Sequence, residues 1–298
     1  MEKIITVPHD TQGERLDKFL SSKVRSCSRT RLRTLIQKGA VSVNGRVTKP
    51  SYQLRGGERI FLKVEEVKEE LQPFDFEVKI IYEDQDVLVV DKPKDLTVHP
   101  PSLRHQKTLV NALLFMKKSL SNVSALRAGV VHRLDRETSG VMVLAKNNLS
   151  HINLVGQFRE RKVKKEYRAI CWGLIKKKHF AIDIPLARDS RNWLKMKISF
   201  LKSKRALTDA SVLGQYKDST YLALRPHTGR MHQIRVHLKF LGYPIVGDKK
   251  YGIKDSYDDL FLHAYKLGFM HPTKDTFVEF TSALPARFQK FIGARTQP

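Results

Sequence analysis

Apolar positions in the first seventy residues recur at helical spacing in two short stretches. "RLDKFLSS" places Leu16, Phe19 and Leu20 on one face, and "SRTRLRTLIQKG" repeats the pattern with Leu32, Leu35 and Ile36. Ser28 is a natural N-cap for the second helix and Gly39 a C-terminal stop. The period then changes: "AVSVNGRVTKP" alternates around Asn44-Gly45, the dipeptide of a tight hairpin, and "GGERIFLKVEE" adds a strand after a Gly-Gly turn. The acidic run "VEEVKEELQPFD", carrying Pro73, reads as a linker, which predicts domains at 1–70 and 71–298. Beyond Phe76 strand patterns predominate, in "VKIIYEDQDVLVVDKP", "RAGVVHRLD", "GVMVLAKN", "EYRAICWGLI", "TYLALRP" and "FVEFTSAL". Helical patterns lie between them at "TLVNALLFMKKSL", "HINLVGQFRERKV" and "MHQIRVHLKFLG". Strand and helix do not alternate regularly and no glycine-rich phosphate loop is present, so an α+β domain is expected rather than a doubly wound one.

Charge changes this picture more than composition does. The 298 residues are 41% apolar, as in ordinary folded proteins, yet carry 55 Lys and Arg against 30 Asp and Glu, a net charge of +25. A field of that size attracts polyanions, above all nucleic acid. Between Arg15 and Lys49 there are ten basic residues and one acid, Asp17. Arg29, Arg31 and Arg33 on the outer face of the second helix, with Lys38, are therefore expected to contact RNA. No stretch has the ~20 apolar residues of a membrane span, and the N-terminus lacks a signal-peptide pattern, so a cytoplasmic location is expected. Two cysteines, Cys27 and Cys171, are too few for a zinc ribbon and are expected as reduced thiols.

Four stretches concentrate unusual polar residues: "HRLDRETSG", "KKEYRAICWG", "LRPHTGRMHQIRVHL" and "YPIVGDKKYG". In the first, Asp135 follows an apolar run, which places its carboxylate at a strand end or tight turn. Arg133 and Arg136 flank it, and nearby positive charge favours the charged form. That suits a nucleophile or base better than a proton donor, whereas an ordinary loop salt bridge is the plainer alternative. In the third, His227, His232 and His237 are spaced five and five, off any single helix face and among arginines, which speaks against a metal site. A glycine turn leading into a helix start beside Arg230 instead suits phosphate recognition. Tyr167 lies in a second basic stripe, nine basic residues against two acids from Arg159 to Lys178. A flat side chain there can be a plain strand aromatic or a platform for an unstacked base.

Taken together, "VHRLDRETSGVMVLAK", "KKEYRAICWG", "LRPHTGRMHQIRVHLKFLGYPIVGDKKYG" and "FLHAYKLGFMHP" resemble the RluA family of pseudouridine synthases, across about Arg15 to Phe288. Residues 13–62 resemble the small RNA-binding domain of the ribosomal protein S-four type, a coupling similar to that of the RluD-type members. The resemblance implies a pseudouridine synthase fold with a central, mostly antiparallel sheet and flanking helices, plus a small α/β RNA-binding domain at the N-terminus. It also implies an isomerase that converts uridine in large-subunit ribosomal RNA to its carbon-linked isomer, without cofactor or metal, as a monomer acting on RNA or ribosomal particles. By the same resemblance Asp135 is the catalytic aspartate, Tyr167 stacks on the target base, and Arg235 pairs with the aspartate. Arg133 and Arg136 are then left to grip RNA or brace the loop, and His132, Arg133, His227 and Arg230 are expected to bind substrate. The competing reading is a non-catalytic rRNA-binding ribosome-assembly factor in which Asp135 only anchors Arg235. A metal-dependent nuclease is disfavoured by the lack of acidic clusters.

Overall fold

A computed structural model describes residues 2–24, 29–63, 71–102, 105–124 and 126–296, and divides the chain into two compact units, Met1–Lys68 and Glu69–Pro298. The first unit runs β1 (Glu2–Thr6), α1 (Leu16–Lys23), α2 (Arg29–Gln37), β2 (Val41–Val43), β3 (Arg46–Val47) and β4 (Arg59–Lys63). Its strands form one antiparallel sheet in the order β1-β4-β2-β3. The helical spacing seen in the sequence becomes its core: Leu16, Phe19, Leu20, Leu32 and Ile36 pack with Val41, Ile60 and Leu62. Asn44 and Gly45 both take positive φ, 49° and 79°, the geometry a two-residue hairpin turn demands. Ser28, Cys27 and the side chain of Arg31 lie outside the described residues.

Asp17 is fully buried, and its carboxylate accepts from Arg15 Nε at 3.0 Å and from Arg29 Nε and Nη2 at 3.2 and 3.0 Å. Arg33 Nε stands 4.0 Å away. The lone acid of the basic stretch thus anchors the arginines by one edge while they stay about half exposed, 52% for Arg29 and 56% for Arg33. Lys38 is exposed.

The second unit continues with β5 (Lys79–Glu83), β6 (Val87–Lys92), α3 (Leu109–Phe115), β7 (Ser139–Ala145), α4 (Asn148–Arg159), β8 (Lys164–Trp172), β9 (His179–Asp183), β10 (Leu186–Arg188) and β11 (Met196–Ile198). It closes with β12 (Leu207–Tyr216), β13 (Ser219–Pro226), α5 (Gln233–Phe240), β14 (Leu262–Met270), β15 (Phe277–Thr281) and α6 (Ala286–Thr296). Nine strands form one sheet, β5-β6-β7-β14-β8-β13-β12-β9, with β15 also on β14, and β10 and β11 make a separate hairpin. Every pairing is antiparallel except β7 with β14. The α+β architecture is that expected. Among the described residues no helix is long and apolar enough to cross a membrane.

One strand expectation fails. "RAGVVHRLD" forms no strand; it meets β7 through a bridge from Val130 to Leu144 and through His132 Nε2, which accepts the Val143 N–H. Leu134 is buried and Val131 packs against the core, while the stretch from Val131 to Asp135 also lines a cavity, so beyond the bridge at Val130 the backbone runs as a loop. At the parallel contact Gly140 has φ 121° opposite Ala264, and a Cβ there would run into the Ala264 carbonyl. The glycine that follows Thr138-Ser139 therefore lets β7 enter the sheet immediately after the turn that carries Asp135.

Candidate active site

A cavity of about 600 Å³ opens in the second unit, and it gathers residues from three of the four polar stretches. Asp135, His132, Arg133, Tyr167, His227, Arg230 and Arg235 all line it. Arg159, Arg161 and Lys165, from the second basic stripe, and Arg188, singled out by no motif, extend the basic lining. Asp135 is the one carboxylate among the described lining residues.

Asp135 begins a tight turn in which its carbonyl accepts the Thr138 N–H at 3.1 Å. Lys92, fully buried at the end of β6, braces that turn: its ammonium donates to the carbonyls of Pro93 and Leu96 at 2.8 Å and of Arg136 at 3.2 Å. Burial pushes the Lys92 ammonium down to about 7, against the pull of Asp135 and its neighbours. Arg136 thus contributes its carbonyl to the brace, and Arg133 is exposed at the cavity wall.

The basic side chains within ion-pair reach of Asp135, among the described residues, come from α5 and its cap. Arg235 Nη1 lies 3.8 Å and His232 Nε2 3.9 Å from the same oxygen, Oδ2. Arg235 spends its hydrogen bonds elsewhere. Its Nε and Nη2 grip Asp248 in a fork at 2.8 and 2.7 Å, and Nη1 donates to Glu137 at 3.3 Å. The arginine is a buried cation shared by three carboxylates, with Asp135 the loosest of them. Asp248, in the "VGDKKYG" stretch, had no assigned role on sequence grounds; a pair thirteen residues apart on different elements leaves no periodic signal.

Glu137, two residues beyond Asp135, braces the site. It accepts from Arg235 and, at 3.2 Å, from Lys250 Nζ. Although burial opposes it, its own backbone amide, Arg235 and Lys250 hold the carboxyl down at about 2, against 4.5 ordinarily. A depressed carboxyl stabilises the fold above its unfolded pKa and stops doing so as pH falls through the folded one. The Glu137 contribution is therefore complete above about pH 4.5 and lost toward pH 2. Glu137→Gln should flatten the dependence of stability on pH over that window, as read by urea denaturation at stepped pH; curves of equal slope would remove Glu137 from the brace.

Tyr167, on β8, is half-buried between two parts of the core, and burial followed by the nearby Asp135 raises its hydroxyl, which keeps its proton. Lys165 is two residues earlier on the same strand face, lowered by burial to about 8. His132 stacks on Phe158 at 4.4 Å, and its Nε2 accepts the Val143 N–H at 3.1 Å. With burial lowering it to about 3, this ring is a neutral wall of the cavity.

In the "HTGR" loop two backbone N–H groups are spent inside the fold. The His227 and Arg230 N–H groups are already taken, by the Leu207 carbonyl at 3.0 Å and by Gln233 Oε1 at 3.1 Å. Buried Gln233 ties the loop to β12 by donating to the Leu207 carbonyl and Thr208 Oγ1. The loop also presents two basic side chains to the cavity: His227, held by Asp209 at 2.6 Å, and Arg230, whose Nε donates to the Arg205 carbonyl. Its three histidines have separate partners, Asp209, Tyr251 and, for His237, Thr208 and the Ile184 carbonyl. They do not converge as metal ligands would. The one group of potential metal ligands among the described residues, Asp84, Asp86 and His271, lies outside this cavity, and Lys274 Nζ already sits 2.7 Å from Asp84.

Residues 86–240 match the model of a family described as RNA pseudouridylate synthase, and residues 14–60 that of the S4 domain. An uncharacterized RNA pseudouridine synthase of Aquifex aeolicus is 43% identical, over 97% of this chain and 96% of that one. Ribosomal large subunit pseudouridine synthase D of Neisseria meningitidis is 39% identical, over 94% of this chain and 78% of that one. Among solved structures, human RNA pseudouridylate synthase domain containing 1 superposes with a TM-score of 0.59 at 29% identity, over 74% of this chain and 96% of that one.

Proposed function

Because the chain belongs to the family of RNA pseudouridylate synthases, we propose that it isomerises specific uridines of large-subunit ribosomal RNA, with Asp135 as the reacting carboxylate. The observation that carries this reading is the isolation of Asp135 as the single carboxylate of a deep, basic cavity that also holds a half-buried tyrosine. The ribosomal substrate is supported by the relatives named large subunit pseudouridine synthase D, aligned over nearly the whole chain, S4 domain included.

The reaction breaks the bond from ribose to N1 of uracil, turns the ring and rejoins it through carbon 5, with no net water and no redox step. One carboxylate beside the ribose suffices, either attacking the anomeric carbon or taking the 2′ proton. Both donors near Asp135 face Oδ2, which leaves Oδ1 toward the substrate. Tyr167 supplies the flat face against which a uracil drawn out of its helix can stack. The basic lining from Arg133, Arg159, Arg161 and Arg230 receives the phosphates on either side. Because Asp135, Tyr167 and Arg235 come from one chain, a monomer suffices, and the cytoplasm, where ribosomal RNA is assembled into particles, is the place of action.

Purified protein incubated with large-subunit ribosomal RNA, naked or in assembling particles, should create pseudouridines at discrete positions, mapped as primer-extension stops where their carbodiimide adducts survive alkali. Binding to the same RNA should weaken steeply as salt rises, since each phosphate contact releases counterions. RNA that binds but gains no stops would favour the assembly-factor alternative.

A further inference from the structure

His232 caps α5 with φ 54° and ψ 19°, a left-handed conformation that a bulky side chain rarely adopts. Its side chain makes no cap bond to the helix, and only 7% of it is exposed. Its contacts run elsewhere. The Met196 N–H donates to the Tyr251 hydroxyl oxygen at 2.7 Å, and the same oxygen lies 2.7 Å from His232 Nδ1. With Met196 on its acceptor side, that hydroxyl is placed to give its one proton to Nδ1. Nδ1 then accepts, the imidazole proton resides on Nε2, and Nε2 is the atom 3.9 Å from Asp135 Oδ2. Burial raises the Tyr251 hydroxyl and lowers His232, so tyrosine keeps its proton and the imidazole stays neutral.

We propose that His232 is a positioning residue for Asp135, presenting an Nε2–H to carboxylate oxygen Oδ2, and that Tyr251 selects the tautomer that makes this possible. The inference rests on the reading of Asp135 as the reacting carboxylate. Arg235 Nη1, three residues further along α5, lies 3.8 Å from the same oxygen, so two donors converge on Oδ2 and orient the carboxylate with Oδ1 outward. The opposite tautomer would aim a nitrogen lone pair at the carboxylate and repel it. The strained cap thereby has a use: the left-handed turn at residue 232 swings the ring back toward the Asp135 turn.

The test separates this role from a merely structural one by reversing an order. A glutamine amide nitrogen can reach the place of Nε2, whereas an asparagine amide reaches only that of Nδ1; asparagine, however, suits φ near +54° better than glutamine. Single-turnover isomerisation at saturating RNA, with RNA affinity measured in parallel, should therefore give His232→Gln the faster rate and His232→Asn a rate lower by roughly tenfold. Tyr251→Phe, with the ring retained, should slow the reaction by a similar factor while affinity changes by less than about twofold. An asparagine variant as fast as or faster than the glutamine one, or Tyr251→Phe at the wild-type rate, overturns the proposal. Wild-type protein that makes no pseudouridine, or Asp135→Asn that still does, would instead overturn the functional reading beneath it.

Discussion

Asp135→Asn is expected to abolish pseudouridine formation, by at least about a thousandfold in single-turnover rate, while RNA binding is retained. Asparagine keeps the shape of the turn and can still accept the Nε2–H and Nη1–H on one oxygen, but it can neither attack a sugar carbon nor take its proton. The fold should survive, because the buried Arg235 is gripped by Asp248 and Glu137 and touches Asp135 only at 3.8 Å. Binding should survive because the cavity's other charged residues are cations and the first unit is untouched. The measurement is carbodiimide mapping of ribosomal RNA from cells whose only copy carries the substitution, alongside filter binding of the purified variant. Persistent stops would show that the carboxylate does no chemistry; vanished stops together with vanished binding would make Asp135 an RNA contact instead.

The sequence made the parts of the site visible more readily than their joints. The N-terminal unit was readable because each element carries a local signal: leucines at helical spacing on α1 and α2, and Asn44-Gly45 at a turn where both residues need positive φ. The strand expected over "RAGVVHRLD" was misread for a physical reason. Val131 and Leu134 both pack against core and border the cavity, and an apolar run that serves both looks like a strand without being one. The candidate residues of the second unit, from Asp135 to Arg235, do meet in one cavity, since each lies in a stretch with more charge than a surface loop needs. What holds them was hidden. Asp248, Lys92 and Tyr251 act through single hydrogen bonds or forks between elements distant in sequence, and such contacts follow from tertiary placement, which neither spacing nor composition records.

Asp248→Asn tests the hidden support directly and should destabilise the second unit by about 3 kcal/mol. Arg235 and Asp248 are 2% and 1% exposed, so neither charge can turn to water when its partner is lost. An asparagine at 248 presents one oxygen and one NH2 group to a fork of two N–H donors, so one of the two bonds at 2.8 and 2.7 Å becomes a donor–donor contact. Glu137 and Asp135 remain near the guanidinium at 3.3 and 3.8 Å, which holds the cost below that of a wholly unpaired buried charge. The same carboxylate also accepts the Lys250 and Tyr251 N–H groups at 2.9 and 3.0 Å, so the variant should loosen the turn that carries Tyr251. Both tryptophans, Trp172 and Trp193, belong to the second unit, and thermal unfolding followed by their fluorescence reports that unit alone. For a unit of this size about 3 kcal/mol corresponds to a fall of roughly 6–12 °C in the midpoint. A midpoint unmoved by the substitution would mean that Arg235 is held by Glu137 and Asp135 rather than by the fork. Arg235→Lys makes the complementary case: it keeps the charge, but a single ammonium cannot grip both oxygens of Asp248 and still reach Glu137 and Asp135. It should lose isomerisation rate even where its folded fraction is complete, because Asp135 Oδ2 then keeps only the imidazole beside it.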